Sequence, residues 1–267
     1  MRRGVAEPVS SYQSILIYGG SPPPEVQSSM ETIETPERAM LVIPHPDDGE
    51  SGAGGTVAKW AREGCKVLYV VCTNGDKGSS DLEMTSARLA TIRAAEQKKA
   101  TEVLGVDELI MLGYGDGELE DTSAFRGQIV EQIRRFQPDV LLAMDPRRMS
   151  HSHRDHRISG QTALDASFPF ARDVLHFPEH LAAGLETHKV GSVLLWGSEA
   201  PDVVVDITDT VDLKMHALAA HESQLSTDMT RIEQFAKRRA TDAAAEAADH
   251  GFKFEFAEIF RRINFRR

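Results

Sequence analysis

Several features are scarce in this 267-residue sequence, and each one excludes a class of protein. Its two cysteines, Cys65 and Cys72, are too few for a disulfide framework, so we expect a reduced, cytoplasmic protein. No run approaches the roughly 18 apolar residues of a membrane span, and no secretory apolar stretch follows Met1-Arg2-Arg3. We therefore expect no membrane partner. The net charge of -11 also argues against a nucleic-acid partner, because binding phosphates requires a basic surface.

The composition is sufficient for a full hydrophobic core, since 41% of the residues are hydrophobic. Residues 1–36 are rich in Ser, Pro and Glu and predict an N-terminal extension. From residue 37 to 267 we expect a single domain. Within it, residues 169–190 lose any periodicity and predict an irregular segment that serves as a lid.

Short apolar runs alternate with amphipathic segments, which predicts an α/β fold with an open, mostly parallel sheet flanked by helices. The runs that predict buried strands are Ala39–Ile43, Val67–Cys72, Leu109–Leu112 and Val140–Met144. The segments that predict helices between them are Thr56–Arg62, Ser86–Leu104 and Ala124–Phe136. A small C-terminal strand and helix extension is expected from Val193–Trp196, Val203–Ile207, Thr210–Ser223 and Asp228–Ala248.

Two polar clusters follow predicted strands of this sheet. His45-Pro46-Asp47-Asp48-Gly49-Glu50 comes after Ile43, and His151-Ser152-His153-Arg154-Asp155-His156 comes after the Val140–Met144 strand and a short loop. Ligands of open α/β sheets bind at the carboxyl ends of the strands, where both clusters are expected to lie. Each cluster alone is explained equally well by a capped turn or helix start. Two of them at neighbouring strand ends predict a shared site.

These residue types are suited to metal-assisted hydrolysis. His45, Asp48 and one histidine of the second cluster would provide two nitrogens and one oxygen, a ligand set typical of catalytic zinc and also of non-haem iron. Asp47 would then act as general base toward water, and His153 could protonate a leaving amine.

The same motifs resemble the signatures of the LmbE/PIG-L family of zinc-dependent N-deacetylases. The resemblance covers roughly residues 38–225. It rests on the residues from Pro44 to Glu50 and from His153 to His156, and on Thr73–Gly78, Arg93–Glu96, Val205–Asp209 and Ala220–Gln224. It implies a Rossmann-like fold and hydrolysis of an acetamido group on N-acetylglucosamine or one of its glycosides.

Residue roles carry over from the family by motif. The resemblance implies that His45, Asp48 and His156 bind Zn²⁺, with Fe²⁺ an alternative, and that Asp47 is the general base. It also implies that His153 stabilises the oxyanion or donates a proton, with Asp155 orienting it.

Three further residues are candidates for substrate contact. Arg93 and Asp116 match family positions that contact sugar hydroxyls. For Arg93, an exposed helix pair with Glu96 is the alternative. For His221, packing or helix capping explains the residue equally well.

Within the family, the sequence is most similar to diacetylchitobiose deacetylases, which implies a homo-oligomer, either a trimer or a hexamer. Two alternatives to deacetylation of an amino sugar remain open: an amidase or deacylase of a thiol conjugate or natural-product glycoside, and a catalytically silent sugar-binding protein. Dinucleotide binding is disfavoured, because no Gly-x-Gly-x-x-Gly follows the first strand.

Overall fold

The computed structural model describes residues 29–148, 153–224 and 229–265, which form one mixed sheet with helices on both faces. In chain order the strands are β1 (Glu31–Thr32), β2 (Arg38–Ile43), β3 (Lys66–Thr73), β4 (Glu108–Tyr114), β5 (Val140–Met144), β6 (Ser192–Trp196), β7 (Val203–Asp206) and β8 (Ala257–Asn264). The helices are α1 (Asp48–Arg62), α2 (Ser86–Leu104), α3 (Ser123–Phe136), α4 (Arg154–Asp165), α5 (Pro178–Ala182), α6 (Val211–Ala219) and α7 (Met229–Ala248).

The strand order in the sheet is β1-β7-β8-β6-β5-β2-β3-β4, and β8 alone among these strands runs antiparallel to its neighbours. The predicted α/β fold with a mostly parallel sheet is therefore confirmed. Strand β2 lies between β3 and β5. Because both pairings are parallel, the carboxyl ends of β2 and β5 lie side by side, and the two polar clusters follow these ends.

Alternation along β2 shows why the sheet is covered on both faces. Ala39, Leu41 and Ile43 are buried in a core with helices α1, α2 and α6. Met40 and Val42, which point the other way, are buried with α3 and α4. A strand buried on both faces is apolar at every position, and this explains the continuous hydrophobic run in the sequence.

Several boundaries differ from the sequence predictions. Helix α1 begins at Asp48 rather than Thr56, and the helix expected to run to Ser223 ends at Ala219. Strand β8 was not predicted, and β1 adds Glu31–Thr32 to the sheet from within the expected extension. Residues 1–28, His151, Ser152 and Asp228 lie outside the described residues.

Helix α2 matches its predicted limits because both of its ends carry clear capping signals. The Thr85 hydroxyl accepts a hydrogen bond from the backbone N–H of Arg88, which satisfies one free donor of the first turn. At the other end, Gly105 adopts a φ of 77°, the left-handed conformation that glycine tolerates best. Two residues of this helix, Arg93 and Gln97, contact Asp47 at the candidate site.

A buried ion pair reaches into the backbone of α1. Lys214 Nζ lies 2.6 Å from Glu258 Oε1 and donates to the carbonyl of Ser51 at 2.9 Å. Glu258 in turn accepts from the N–H groups of Gly55 and Thr56, at 3.0 and 2.8 Å. A Cβ on Gly55 would lie 2.7 Å from the Ile207 side chain, so close packing explains this glycine. The pair ties α1 to α6 and β8.

The segment 169–190 is irregular except for helix α5 and the end of a π-helical turn. Buried Arg134 on α3 holds the first part of this segment by donating to a series of backbone carbonyls, those of Phe170, Ala171, Asp173, His176 and Phe177. Further along, His188 Nε2 lies 2.8 Å from the carbonyl of Pro138, before β5 begins. The role of the segment as a lid stays a prediction.

Candidate active site

Three ligand atoms form a nearly equilateral triangle where β2 and β5 end. His45 Nδ1 lies 3.1 Å from Asp48 Oδ2 and 3.1 Å from His156 Nε2, and those two atoms are also 3.1 Å apart. His45 follows β2, Asp48 is the first residue of α1, and His156 lies in the first turn of α4. The parallel pairing of β2 with β5 is what brings the two histidines together.

This triangle fits a divalent cation by its chemistry and its size. Zinc is held by imidazole nitrogens and carboxylate oxygens at about 2.0–2.2 Å, which puts neighbouring ligand atoms of a tetrahedral site roughly 3.3 Å apart. The three observed separations of 3.1 Å are close to that value. Two nitrogens and one oxygen also leave a coordination position open, as catalytic zinc sites require.

Electrostatics favour a positive charge at the same point. Burial lowers the pKa of His45, but hydrogen bonds to Asp116, Asp155 and Asp48 outweigh it and raise the pKa to about 11. Burial likewise raises the pKa of Asp48, but hydrogen bonds from His156 and His45 hold it well below its usual range. The surrounding carboxylates thus stabilise a cation at the triangle, whether a proton or a metal ion.

The second nitrogen of His45 is fixed by carboxylates. Nε2 lies 3.0 Å from Asp155 Oδ2 and 3.1 Å from Asp116 Oδ1. Asp155 is itself held by the backbone N–H groups of Gly117 and Leu119, at 2.6 and 3.2 Å. A carboxylate on the far nitrogen of a metal-ligating histidine fixes its ring and tautomer. The Asp155 carboxylate thus contacts His45, and the orienting of His153 by Asp155 stays a prediction.

Asp47 lies beside the triangle and not in it. Arg93 Nη2 donates to Asp47 Oδ2 at 3.0 Å, and the Asp47 side chain is 31% exposed. The solvent-accessible space beside Asp47 and the partly exposed His153 is called the crevice. Desolvation and then the charge of Asp48 raise the pKa of Asp47 to about 7, against the opposing charge of Arg93. A carboxyl that titrates near neutrality can both accept and return a proton at physiological pH.

His153 caps helix α4, and the centroid of its ring lies 4.6 Å from that of His45. Its Nδ1 accepts a hydrogen bond from the backbone N–H of Asp155 at 3.2 Å. Burial lowers the pKa of His153, and the positive charges of His45 and His156 lower it further. The ring is therefore neutral at pH 7, with its proton on Nε2. Its side chain is 41% exposed, and Nε2 lies 3.9 Å from Asp116 Oδ1.

The three residues expected to contact substrate occupy different environments. Asp116 lies at the crevice, within reach of His45 and His153. Arg93 is buried and its guanidinium donates to the carbonyl of Gly75, to that of Pro46 and to Asp47, so the exposed pair with Glu96 does not form.

His221 is fully buried, which places it out of reach of a substrate in the crevice. Its Nε2 lies 3.5 Å from Glu50 Oε2. Burial lowers the pKa of His221, but the close approach and negative charge of Glu50 outweigh it and raise the pKa overall. The expected substrate contact is therefore replaced by a contact with a buried carboxylate behind the site.

Two residues that sequence reasoning did not single out support the site from behind. Glu50 is fully buried and accepts from Gln97 Nε2 at 2.7 Å, and Gln97 Oε1 accepts from the backbone N–H of Asp47 at 3.3 Å. Gln97 follows Arg93 by four residues and therefore shares its helix face. That spacing, together with the position of Glu50 in the first motif, is the signal that would have identified both residues.

Comparison with known proteins decides the family. The family model described as PIG-L, GlcNAc-PI de-N-acetylase, matches residues 40–167. Diacetylchitobiose deacetylase of Thermococcus kodakarensis is 35% identical over 196 residues, which cover 73% of each chain. The chain belongs to the PIG-L family.

Two further PIG-L comparisons are with a solved structure and with an amidase. The structure of N,N'-diacetylchitobiose deacetylase from Pyrococcus horikoshii, complexed with its inhibitor MPG, superposes with a TM-score of 0.80 at 30% identity, covering 86% of this chain and 84% of that one. Mycothiol S-conjugate amidase of Streptomyces coelicolor is 32% identical over 163 residues, covering 53% of this chain and 55% of that protein.

The PIG-L match encloses nearly the whole site. Residues 40–167 include the His45, Asp48 and His156 triangle, Asp47, and the Gln97 support behind it. Among the predicted site residues, His221 alone lies beyond this range. In the part of the chain that the structure describes, no helix is both long and apolar enough to cross a membrane.

Proposed function

We propose that this protein is a metal-dependent hydrolase that removes the acetyl group from an N-acetylated amino sugar, either N-acetylglucosamine or a glycoside of it such as diacetylchitobiose. One observation carries the proposal. A nitrogen, nitrogen and oxygen triangle suited to a divalent cation lies next to Asp47, a carboxyl that is left outside the triangle.

We assign the metal to His45, Asp48 and His156, and we propose Zn²⁺, with Fe²⁺ as the alternative that the same ligand set accepts. A metal ion bound there supplies a Lewis acid that polarises the acetyl carbonyl and lowers the pKa of water toward neutrality. The carboxylates of Asp155 and Asp116 hold His45 in the tautomer whose Nδ1 is free to bind the metal.

Asp47 is the proposed general base. It accepts a proton from the attacking water and returns it to the amine that leaves, and both transfers require a pKa near the working pH. The pKa of about 7 meets that requirement. Arg93 donates to one oxygen of the Asp47 carboxylate at 3.0 Å, and we propose that the other oxygen takes part in the proton transfer.

His153 is the proposed stabiliser of the oxyanion. Since Nδ1 accepts from the backbone of Asp155, the neutral ring carries its proton on Nε2, on the exposed side. An N–H group held there can donate to the negative charge that develops on the acetyl oxygen. Asp116 is the proposed contact for a sugar hydroxyl, because its carboxylate is partly exposed and lies 3.9 Å from His153 Nε2.

The experiment is a substrate panel with product release as the readout. Acetate release from N-acetylglucosamine and diacetylchitobiose is expected, whereas an amide conjugate of a thiol with glucosamine is expected to remain intact. The match to mycothiol S-conjugate amidase makes cleavage of the thiol conjugate the second candidate. Preferential cleavage of that conjugate would replace the first candidate, and binding of sugar without turnover would support the silent sugar-binding protein.

We also propose a cytoplasmic homo-oligomer, either a trimer or a hexamer. The two free, buried cysteines fit a reducing compartment. Light scattering coupled to size-exclusion chromatography measures the assembly, and a monomer at micromolar concentration would contradict this part of the proposal.

A further inference from the structure

A buried polar pair behind the site has no role in the chemistry described so far. Glu50 and His221 are both fully buried. Among the described residues, Glu50 Oε2 and both ring nitrogens of His221 have no hydrogen-bond partner within normal limits, although His221 Nε2 faces Glu50 Oε2 at 3.5 Å. Buried polar groups without hydrogen bonds destabilise the folded protein, so each of them calls for an explanation.

The pair is connected to the general base by one glutamine. Glu50 Oε1 accepts from Gln97 Nε2 at 2.7 Å, which determines the orientation of the Gln97 amide. The other end of that amide, Oε1, accepts the backbone N–H of Asp47 at 3.3 Å. A flipped amide would direct an NH₂ group at the Asp47 N–H and lose both bonds.

Asp47 needs such support because its backbone is strained. Its φ of 101° lies in the region that favours glycine, and its side chain makes no capping bond to α1. A non-glycine residue in this region is strained and persists only where its surroundings enforce it. The Gln97 bond is one such constraint, and the Arg93 bonds to Pro46 and Asp47 are another.

The segment that carries His221 is held by the same helix that carries Gln97. Glu96 on α2 accepts from the backbone N–H and from the hydroxyl of Ser223, both at 2.7 Å. Residues 96 and 97 of α2 therefore join the His221 segment on one side and the Asp47 loop on the other. Movement of His221 relative to Glu50 is restricted by these bonds.

We propose that His221 is a positioning residue, which acts through Glu50 and Gln97 to hold the backbone of Asp47. The inference rests on the proposed function only in taking Asp47 as the general base. Its geometric part, the restraint of the Asp47 N–H, can be measured without any substrate.

The test follows the exchange of the Asp47 amide proton by ¹H–¹⁵N spectra of the zinc-loaded protein, alongside steady-state acetate release. His221→Phe keeps a ring but removes both nitrogens, and Gln97→Met removes the acceptor directly. We expect each variant to accelerate Asp47 amide exchange about tenfold, to lower kcat about tenfold and to leave KM within about threefold. His221→Gln, which restores an N–H group near Nε2, is expected to recover most of kcat.

A double variant distinguishes a chain of contacts from two separate structural defects. If His221 acts through Gln97, then Gln97→Met combined with His221→Phe is expected to be no worse than Gln97→Met alone. Losses in kcat that multiply would overturn the proposal. The matched control is His216→Met on the exposed face of α6, which is expected to change none of these quantities.

The remaining outcomes are also decisive. Unchanged Asp47 exchange in folded His221→Phe, or in Gln97→Met if the first variant does not fold, would overturn the inference. Absence of acetate release by the unmodified protein would instead refute the proposed function, and the exchange measurement would still decide the positioning role.

Discussion

Arg93 Nη2 donates to Asp47 Oδ2 at 3.0 Å, and the same guanidinium donates to the backbone carbonyls of Pro46 and Gly75. One buried side chain thus holds both the carboxylate and the loop that presents it. Its Nη1 and Nη2 groups are engaged with the protein and place Asp47, and contact of Arg93 with a sugar hydroxyl stays a prediction.

Replacing Arg93 by Lys is expected to lower kcat/KM for acetate release about 100-fold. A single ammonium group cannot reproduce the planar fork that reaches three acceptors, and small displacements of a catalytic group cost about this much. Steady-state kinetics measures the effect. Arg88→Lys, on the exposed surface of the same helix, is the control, and a fully active Arg93→Lys variant would show that the fork is not needed.

The ion pair between Lys214 and Glu258 predicts a large effect on stability. Lys214→Met removes the ammonium group from the buried Glu258 carboxylate, which keeps its weaker contacts with α1 and Arg239, and is expected to lower the free energy of unfolding by about 3–5 kcal/mol. Urea denaturation measures this change. The control is Lys66→Met, which breaks an exposed pair with Asp107 and is expected to shift the midpoint little. Equal shifts for the two variants would contradict the assigned burial.

The two thiols are expected to be unreactive in the folded protein. Burial raises the pKa of Cys65 to about 12 and that of Cys72 further still. A higher pKa means less thiolate at any given pH, so reaction with a disulfide reagent stays slow at pH 8. In concentrated guanidinium, where burial is lost, both thiols are expected to react rapidly. Fast labelling of native protein would show that at least one thiol is accessible.

Much of the fold could be predicted because its strands are buried on both faces. The run of apolar residues in β2 and β5 reveals this directly, and the alternation with helices implies parallel pairing. Strand β8 is not predicted because it mixes apolar residues with Arg261 and Arg262. Its partners β6 and β7 also lie far from it in the sequence, so no local pattern indicates the antiparallel pairing. Helix α1 was predicted too short, since glycines in its first half lower helix propensity.

In the site, too, the sequence motifs predict some contacts, whereas others depend on tertiary packing. Convergence of His45 and His156 follows from two motifs at neighbouring strand ends, which the sequence contains. The chain from His221 through Glu50 and Gln97 depends on the packing of α2 against the loop before α1. The spacing of Arg93 and Gln97 indicates that they share a helix face, but it does not indicate which residues that face contacts. For this reason His221 was expected in the crevice and is found behind it.

Two adjacent aspartates, Asp47 and Asp48, test most directly whether metal binding and proton transfer are separate at this site. Zinc content and acetate release from diacetylchitobiose are measured for the unmodified protein, Asp47→Asn and Asp48→Ala. The expected result is that Asp47→Asn binds close to one zinc per chain and loses turnover by at least about 100-fold, whereas Asp48→Ala loses the metal and turnover together. Full zinc content in Asp48→Ala, or full turnover in Asp47→Asn, would contradict the separation of metal binding from proton transfer at this site.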